Sequence, residues 1–355
     1  MRIPITGIGV IAPGAIGIEA FRALLASGRT AVTEIDRFDT GGLSAHQAAL
    51  VRDFKPRDFN PVMKMRRMNA LSRLGVAAAK LAIEDCGGVL QPETGVAIGT
   101  AFGPVQTSVE YMQEYVEKGA ALAPPQLFAE SVANAPGSHI AIEWGLRGFN
   151  VTITQRESSA LAAAMYAATQ LAKGAAGAAL IGGVEEANEM LFSVLDRIGA
   201  LAYDHHPGIT LGEGGAMLVA GAGTRKPYGW LAGFGIARDT TAPISDWGHD
   251  EKSVVTAMQA ALDDAEVTDV DAIYVSANGS PRADALEQRA IRALFGDAVP
   301  LVPTKQVFGE YAAGGALQIA AALGALDEER YRNVLVSSIS AGGGIVCAVL
   351  SREAA

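Results

Sequence analysis

Residues 151–174 read VTITQRESSALAAAMYAATQLAKG. The opening residues alternate and are β-branched, which is a strand pattern. The alanine-rich run after Ser158 has the composition of a helix. Strand therefore runs straight into helix, with a charged pair, Arg156 and Glu157, at the joint. A negative charge at a helix start is favoured by roughly 0.3–1 kcal/mol, so the simplest reading of Glu157 is that it caps the helix. Arg156 is placed to compensate that charge if it is buried. Extended backwards, FNVTITQ (149–155) is fairly apolar on both faces, and such a strand wants neighbours. At a sheet edge its open N–H and C=O groups would favour pairing with another subunit.

Outward from that joint, short apolar strands alternate with helices, the pattern of a layered α/β protein. RIPITGIGVIAP (2–13) reads as a strand. IEAFRALLASG (18–28) and MNALSRLGVAAAKLAIEDCGG (68–88) read as helices stopped by glycine. TGVAIGTAFG (94–103), ALIGGVEEA (179–187) and LGEGGAMLVAGAG (211–223) return as strands. The plan then repeats: YGWLAGFGIARD (228–239) as strand, SVVTAMQAALDDAEV (253–267) as helix, DAIYVSAN (271–278) as strand, DALEQRAIRALFG (284–296) as helix. The uncharged run 334–350 is broken by Gly342, Gly343 and Gly344 and reads as two strands and a turn rather than a membrane span. Each half starts with a strand and ends in a glycine-broken hairpin, so we expect two related subdomains, residues 1–224 and 225–355.

Half of the 355 residues are hydrophobic, enough for a large core. The amino terminus is a poor signal peptide, and the expectation is a cytoplasmic protein. Cys86 and Cys347 sit near no second ligand at metal spacing and read as small buried hydrophobes. No metal or nucleotide site is visible, and GEGG (212–215) is not a dinucleotide fingerprint, so no cofactor is expected. With a net charge of −10, nucleic acid is an unlikely partner. Lys64, Arg66 and Arg67 form the one basic cluster, which an acidic carrier protein could use.

Six segments, TGIGVIAP, RRMNALS, GVAIGT, GGVEEA, LGEGGAMLVA and KQVFGEYAAGG, fall in the order found in β-ketoacyl synthases, and the match spans nearly the whole chain. The sequence resembles these condensing enzymes, which implies the thiolase fold: two related βαβαβ halves in an αβαβα sandwich. Enzymes of that family use a Cys in T-A-C-S-S at a helix start, whose thiolate takes the acyl chain, and two His, in H-G-T-G-T and K-x-x-x-G-H. The histidines hydrogen-bond the malonyl thioester oxygen as carbon dioxide leaves. Here Glu157 stands for the Cys, Asn278 (in ANGSPRADALE, shortened by two residues) for the first His, and Glu310 for the second, while Lys305 is retained. Ala341 stands where catalytic members often carry a gatekeeping Phe.

A carboxylate is a far weaker nucleophile toward a thioester than a thiolate, and Glu310 donates no hydrogen bond unless its pKa is raised by burial. The pattern looks like the chain-length factors of type II polyketide synthases. That resemblance implies a heterodimer with a catalytic ketosynthase through the strand Asn150, Val151, Thr152, Ile153 and Thr154. It further implies an acyl carrier protein with its phosphopantetheine arm as a partner, and a polyketide chain, an aryl polyene being one candidate, in a tunnel along the interface. The family's tunnel gate falls on PVQTSVEYMQEYVEKG (104–119), where helical spacing groups either Val105, Ser108 and Met112 or Pro104, Thr107 and Tyr111, with Phe128 a further wall candidate. Lys305 is read as pairing with Glu310 or Glu157. Two alternatives stay open: a homodimeric enzyme using Glu157 and Glu310 as acid and base for acyl-thioester hydrolysis or decarboxylation, and a homodimeric acyl-binding scaffold.

Overall fold

The computed structural model describes residues 2–60, 62–311 and 314–354. Ten strands run in one continuous sheet: β1 (Ile3–Ala12), β2 (Gly95–Gly99), β3 (Asn150–Ile153), β4 (Ala179–Glu185), β5 (Gly214–Ala220), β6 (Gly229–Arg238), β7 (Ala272–Tyr274), β8 (Leu301–Val302), β9 (Asn333–Ile339) and β10 (Gly344–Ser351). Their spatial order is β8-β7-β9-β10-β6-β1-β5-β4-β2-β3, with a two-residue strand, Ala15–Ile16, folded back on β1.

That order is one motif used twice. Among β1–β5 the first strand pairs antiparallel with the fifth, the fifth antiparallel with the fourth, the fourth parallel with the second, and the second parallel with the third. β6–β10 repeat the same pairings in the same order. The two half-sheets join edge to edge where Ile3–Ile5 of β1 meets Gly229–Leu231 of β6.

The helices complete five layers. Between the two half-sheets lie α6 (Ser159–Ala172) and α11 (Gly314–Asp327), packed with strand residues of both halves such as Ile5 and Val346 in the central core. α2 (Ala70–Asp85) covers the outer face of the first half. α8 (Glu251–Ala265) and α9 (Pro281–Phe295) cover that of the second. The other helices include α1 (Ile18–Ser27), α3 (Val105–Lys118), α4 (Pro125–Glu130), α5 (Ala135–Trp144), α7 (Glu189–Arg197) and α10 (Lys305–Phe308). A sandwiched helix needs small side chains because sheets press on it from two sides. At Gly99 a Cβ would fall 2.4 Å from the Ala160 nitrogen, so only glycine lets β2 approach α6 this closely.

Three expectations change. α11 was not anticipated, because its uncharged, uniformly buried sequence has no polar face to set a helical period. The first half does not close in a hairpin, since β5 pairs with β4 across a long connection holding α7. β3 ends at Ile153, leaving Thr154 outside the strand and exposed. β3 is the outermost strand of the sheet, and its free side faces solvent. Among the described residues no helix is long and apolar enough to cross a membrane.

Candidate functional site

The joint between β3 and α6 is stitched to the other half by serines. Ser158 donates its N–H to Ser340 Oγ (2.9 Å) and its hydroxyl to the Ser338 carbonyl (3.1 Å). Ser338 Oγ in turn donates to the Glu157 carbonyl at 2.8 Å. Within the joint, Ser159 Oγ bonds the Arg156 carbonyl and accepts from Gln155 N–H. This tight turn holds Arg156 at φ 50°, a left-handed conformation that a non-glycine residue rarely adopts.

Glu157 does not cap the helix. α6 starts at Ser159, and the Glu157 carboxylate turns across the halves to accept the Ala341 N–H at 3.0 Å. Arg156 does not compensate it either: its guanidinium donates to the Ile244 carbonyl at 3.2 Å, on the other side of the joint. The cation near Glu157 is Lys305, which is fully committed to Glu310. Their Nζ–Oε2 distance is 2.7 Å, with side chains 1% and 3% exposed. Asn278 Nδ2 donates to the same Oε2 at 2.7 Å. The Asn278 carbonyl oxygen Oδ1 accepts from Ser280 N–H, and the Asn278 and Gly279 N–H groups both reach the Asp284 carboxylate. Asp284 and Glu287, left over from the shortened motif, thus both have work in the loop: Glu287 accepts from Ser276 and Ala277 N–H at 2.8 and 3.0 Å.

Burial pushes the Glu157 carboxyl up to about 7, the negative charge of Glu310 adds to the rise, and Lys305 offsets part of it. Part of Glu157's surface is open to a cavity, although protein surrounds the carboxyl closely. Burial likewise raises Glu185 and Glu287 to about 7. Cys86 and Cys347 are both buried, and burial pushes both thiols up, away from the reactive thiolate.

The cavity encloses about 600 Å³ between the two halves. Glu157, Glu185 and Glu310 are among its acids, Phe102, Ile198 and Trp247 are among its apolar walls, and its lining also holds Arg156 and the pair Arg282–Asp246. Glu185 escaped the sequence reading. It accepts from Thr100 Oγ1 and Ala101 N–H at 2.8 and 2.7 Å, and its signal was a pair of acids closing an otherwise apolar strand. The described residues contain no group of three His, Cys, Asp or Glu side chains able to hold a metal.

Glu157, Asn278, Lys305 and Glu310 therefore lie together in the structure. The expected tunnel residues lie elsewhere. Val105, Thr107, Ser108, Tyr111, Met112 and Phe128 are absent from the cavity wall. Thr107 is buried, Ser108 bonds the Pro104 and Ser131 carbonyls, and Met112 and Phe128 are 52% and 57% exposed. Tyr111 packs on Phe128 with ring centroids 5.5 Å apart, so α3 and α4 share an apolar outer face. Ala312 and Ala313 of the KQVFGEYAAGG segment lie outside the described residues.

Residues 1–222 match the N-terminal domain of β-ketoacyl synthases and residues 228–335 the C-terminal domain. The chain belongs to the β-ketoacyl synthase family. Among relatives of this family member, the tetracenomycin polyketide synthase ketoacyl synthase beta subunit of Streptomyces glaucescens is 30% identical over 90% of this chain and 84% of its own length. A 3-oxoacyl-[acyl-carrier-protein] synthase 2 of Vibrio cholerae is 29% identical over 86% of this chain and 79% of its own. The structure titled the ishigamide ketosynthase/chain length factor superposes with a TM-score of 0.90 at 24% identity, covering 99% of both chains. The fold is the thiolase-like ketosynthase fold.

Proposed function

We propose that this family member is a chain-length factor: the non-catalytic partner of a β-ketoacyl synthase in type II polyketide synthesis, forming a heterodimer and shaping the acyl tunnel. Its relatives include a polyketide synthase beta subunit and a fatty-acid type synthase at similar identity, so the choice falls on the site. The observation that carries the reading is the closed cluster at the catalytic position. Glu310 is tied to Lys305 and Asn278, Glu157 takes the place of the thiol, and both real thiols are buried. Nothing there can accept an acyl chain from a thioester, and losing one oxyanion donor alone costs about a hundredfold in rate. The free edge of β3 supports pairing with a second subunit. The apolar face carrying Met112 and Phe128 supports a tunnel wall completed by that subunit. Arg66 and Arg67 are exposed and suit an acidic carrier protein.

The test is reconstitution. With a ketosynthase bearing the T-A-C-S-S motif and both histidines, an acyl carrier protein and malonyl units, elongated product is expected; the chain alone should make none. Elongation by the chain alone, free of contaminating synthase, overturns the proposal. Substituting Met112 or Tyr111 by a larger or smaller residue should shift product length in the reconstituted system.

One observation favours the second reading. Burial raises Glu157 to about 7 beside a Glu310 held by Lys305, an arrangement that suits an acid and base pair acting on an acyl thioester. That reading requires the isolated chain to hydrolyse or decarboxylate malonyl or acyl thioesters, and Glu157→Gln to remove the activity.

A further inference from the structure

Behind the acidic cavity, on the other side of Arg156, lies a second hollow of about 570 Å³ with opposite chemistry. Its lining includes Arg156, Arg238, Ile236 and Ile244, and no carboxylate. Neither arginine forms an ion pair among the described residues. Arg156 spends one donor on the Ile244 carbonyl, and Arg238 stands exposed at the end of β6. The nearby acids are already engaged: Asp239 is buried, holding Thr241 and the Asp250 N–H, and Asp246 is paired to Arg282. Glu157 faces the cavity. Ile236 and Ile244 are 50% and 84% exposed, far more than their size warrants in a finished surface. A concentrated pair of unpaired cations on apolar ground is at odds with a chain whose net charge is −10.

The groove also continues the open strand. β3 ends at Ile153, and Gln155 and Arg156, two and three residues on, line the groove. Whatever chain pairs with the free side of β3 arrives beside it. An isologous contact would repeat this cationic patch in the same face of the second copy, whereas a different subunit is free to bring an acid to it.

We infer that the Arg156–Arg238 groove receives an acidic segment flanked by apolar side chains on a different subunit, and that it sets the choice of heterodimer over homodimer. The inference rests on the chain-length-factor reading and adds the chemistry that selects the partner. Guanidinium groups clamp a carboxylate through two donors, so the groove recognises Asp or Glu of the other subunit while Ile236 and Ile244 bury its neighbours.

The experiment measures assembly by sedimentation at low and high salt. The probe is the T-A-C-S-S-bearing ketosynthase that reconstitutes condensation with this chain. Wild type should bind it with an affinity that falls as salt rises. Arg156→Glu with Arg238→Glu should weaken it about thirtyfold or more and flatten the salt dependence. Arg156→Lys with Arg238→Lys should keep the salt dependence but lose the two-donor geometry, so its affinity should fall between wild type and the Glu variant, which separates charge from the guanidinium clamp; circular dichroism of the free chain should be unchanged in both. Unchanged affinity and salt slope in the Glu variant overturn this inference and leave the chain-length-factor reading standing. Failure of wild type to bind any such ketosynthase, or a tight homodimer, overturns both.

Discussion

Arg156 and Glu157 are neighbours in sequence and belong to different environments. Glu157 faces a cavity where the carboxylates are answered from within the chain: Lys305 and Asn278 on one oxygen of Glu310, a backbone N–H on Glu157 itself. Arg156 stands on the wall between that cavity and an open groove, and in the groove its charge and that of Arg238 have none. Charges that the fold needs for its own integrity are satisfied inside the chain, because an unpaired buried ion costs several kcal/mol. A charge left unanswered on an apolar surface costs little in water and is available for binding. The inner cluster is thus held together by the chain itself, and under the proposed function the outer groove is what is left for recognition.

The sharpest way to break that contrast is Lys305→Met, which strands Glu310 in the interior. Denaturant unfolding should show a loss of about 3–5 kcal/mol, and Lys305→Met with Glu310→Leu should recover to within about 1 kcal/mol of wild type. Full stability in the single variant would mean the pair is not buried as described.

A smaller effect is expected at Glu157. Its carboxyl holds a proton more tightly folded than unfolded, so the stability it contributes is complete below the ordinary carboxylate range. That contribution is lost as pH rises through about 7. Thermal unfolding between pH about 5 and about 8 should show wild type weakening with rising pH and Glu157→Gln weakening less, by about 1 kcal/mol across the window. Glu185 and Glu287 keep the same sign in both proteins, so a residual slope is expected. The smallest effect belongs to the other side of the joint: Arg156→Gln should change the stability of the free chain by less than about 0.5 kcal/mol. A larger loss would make Arg156 part of the scaffold and not of a binding surface.

Much of this architecture could be read from sequence because glycine punctuates it. Helices stop at Gly28 and near Gly87, and the run from 334 to 350 turns at 342–343. α11 could not be read, since a helix pressed between two sheets loses the polar stripe by which helices are recognised. The convergence of Glu157, Asn278, Lys305 and Glu310 was legible only through the order of motifs shared with the family. No local pattern relates residues so far apart in sequence. Direction was the harder matter. Adjacency suggested that Arg156 would neutralise Glu157, yet the Arg156 guanidinium donates to the Ile244 carbonyl while the Glu157 carboxylate takes the Ala341 N–H. Arg238 carried no signal, because an arginine at a strand end reads as an ordinary solvated residue.

The seam between the half-sheets has a further consequence. β1 belongs to the first half but holds β6 of the second, and the exposed connection 221–227 runs beside it. A protease that nicks that connection would sever the chain without severing the sheet. The two fragments would stay interlocked through β1 and the sandwiched helices. The molecule is thus a natural substrate for splitting, in which two separately made pieces recover one fold by complementation.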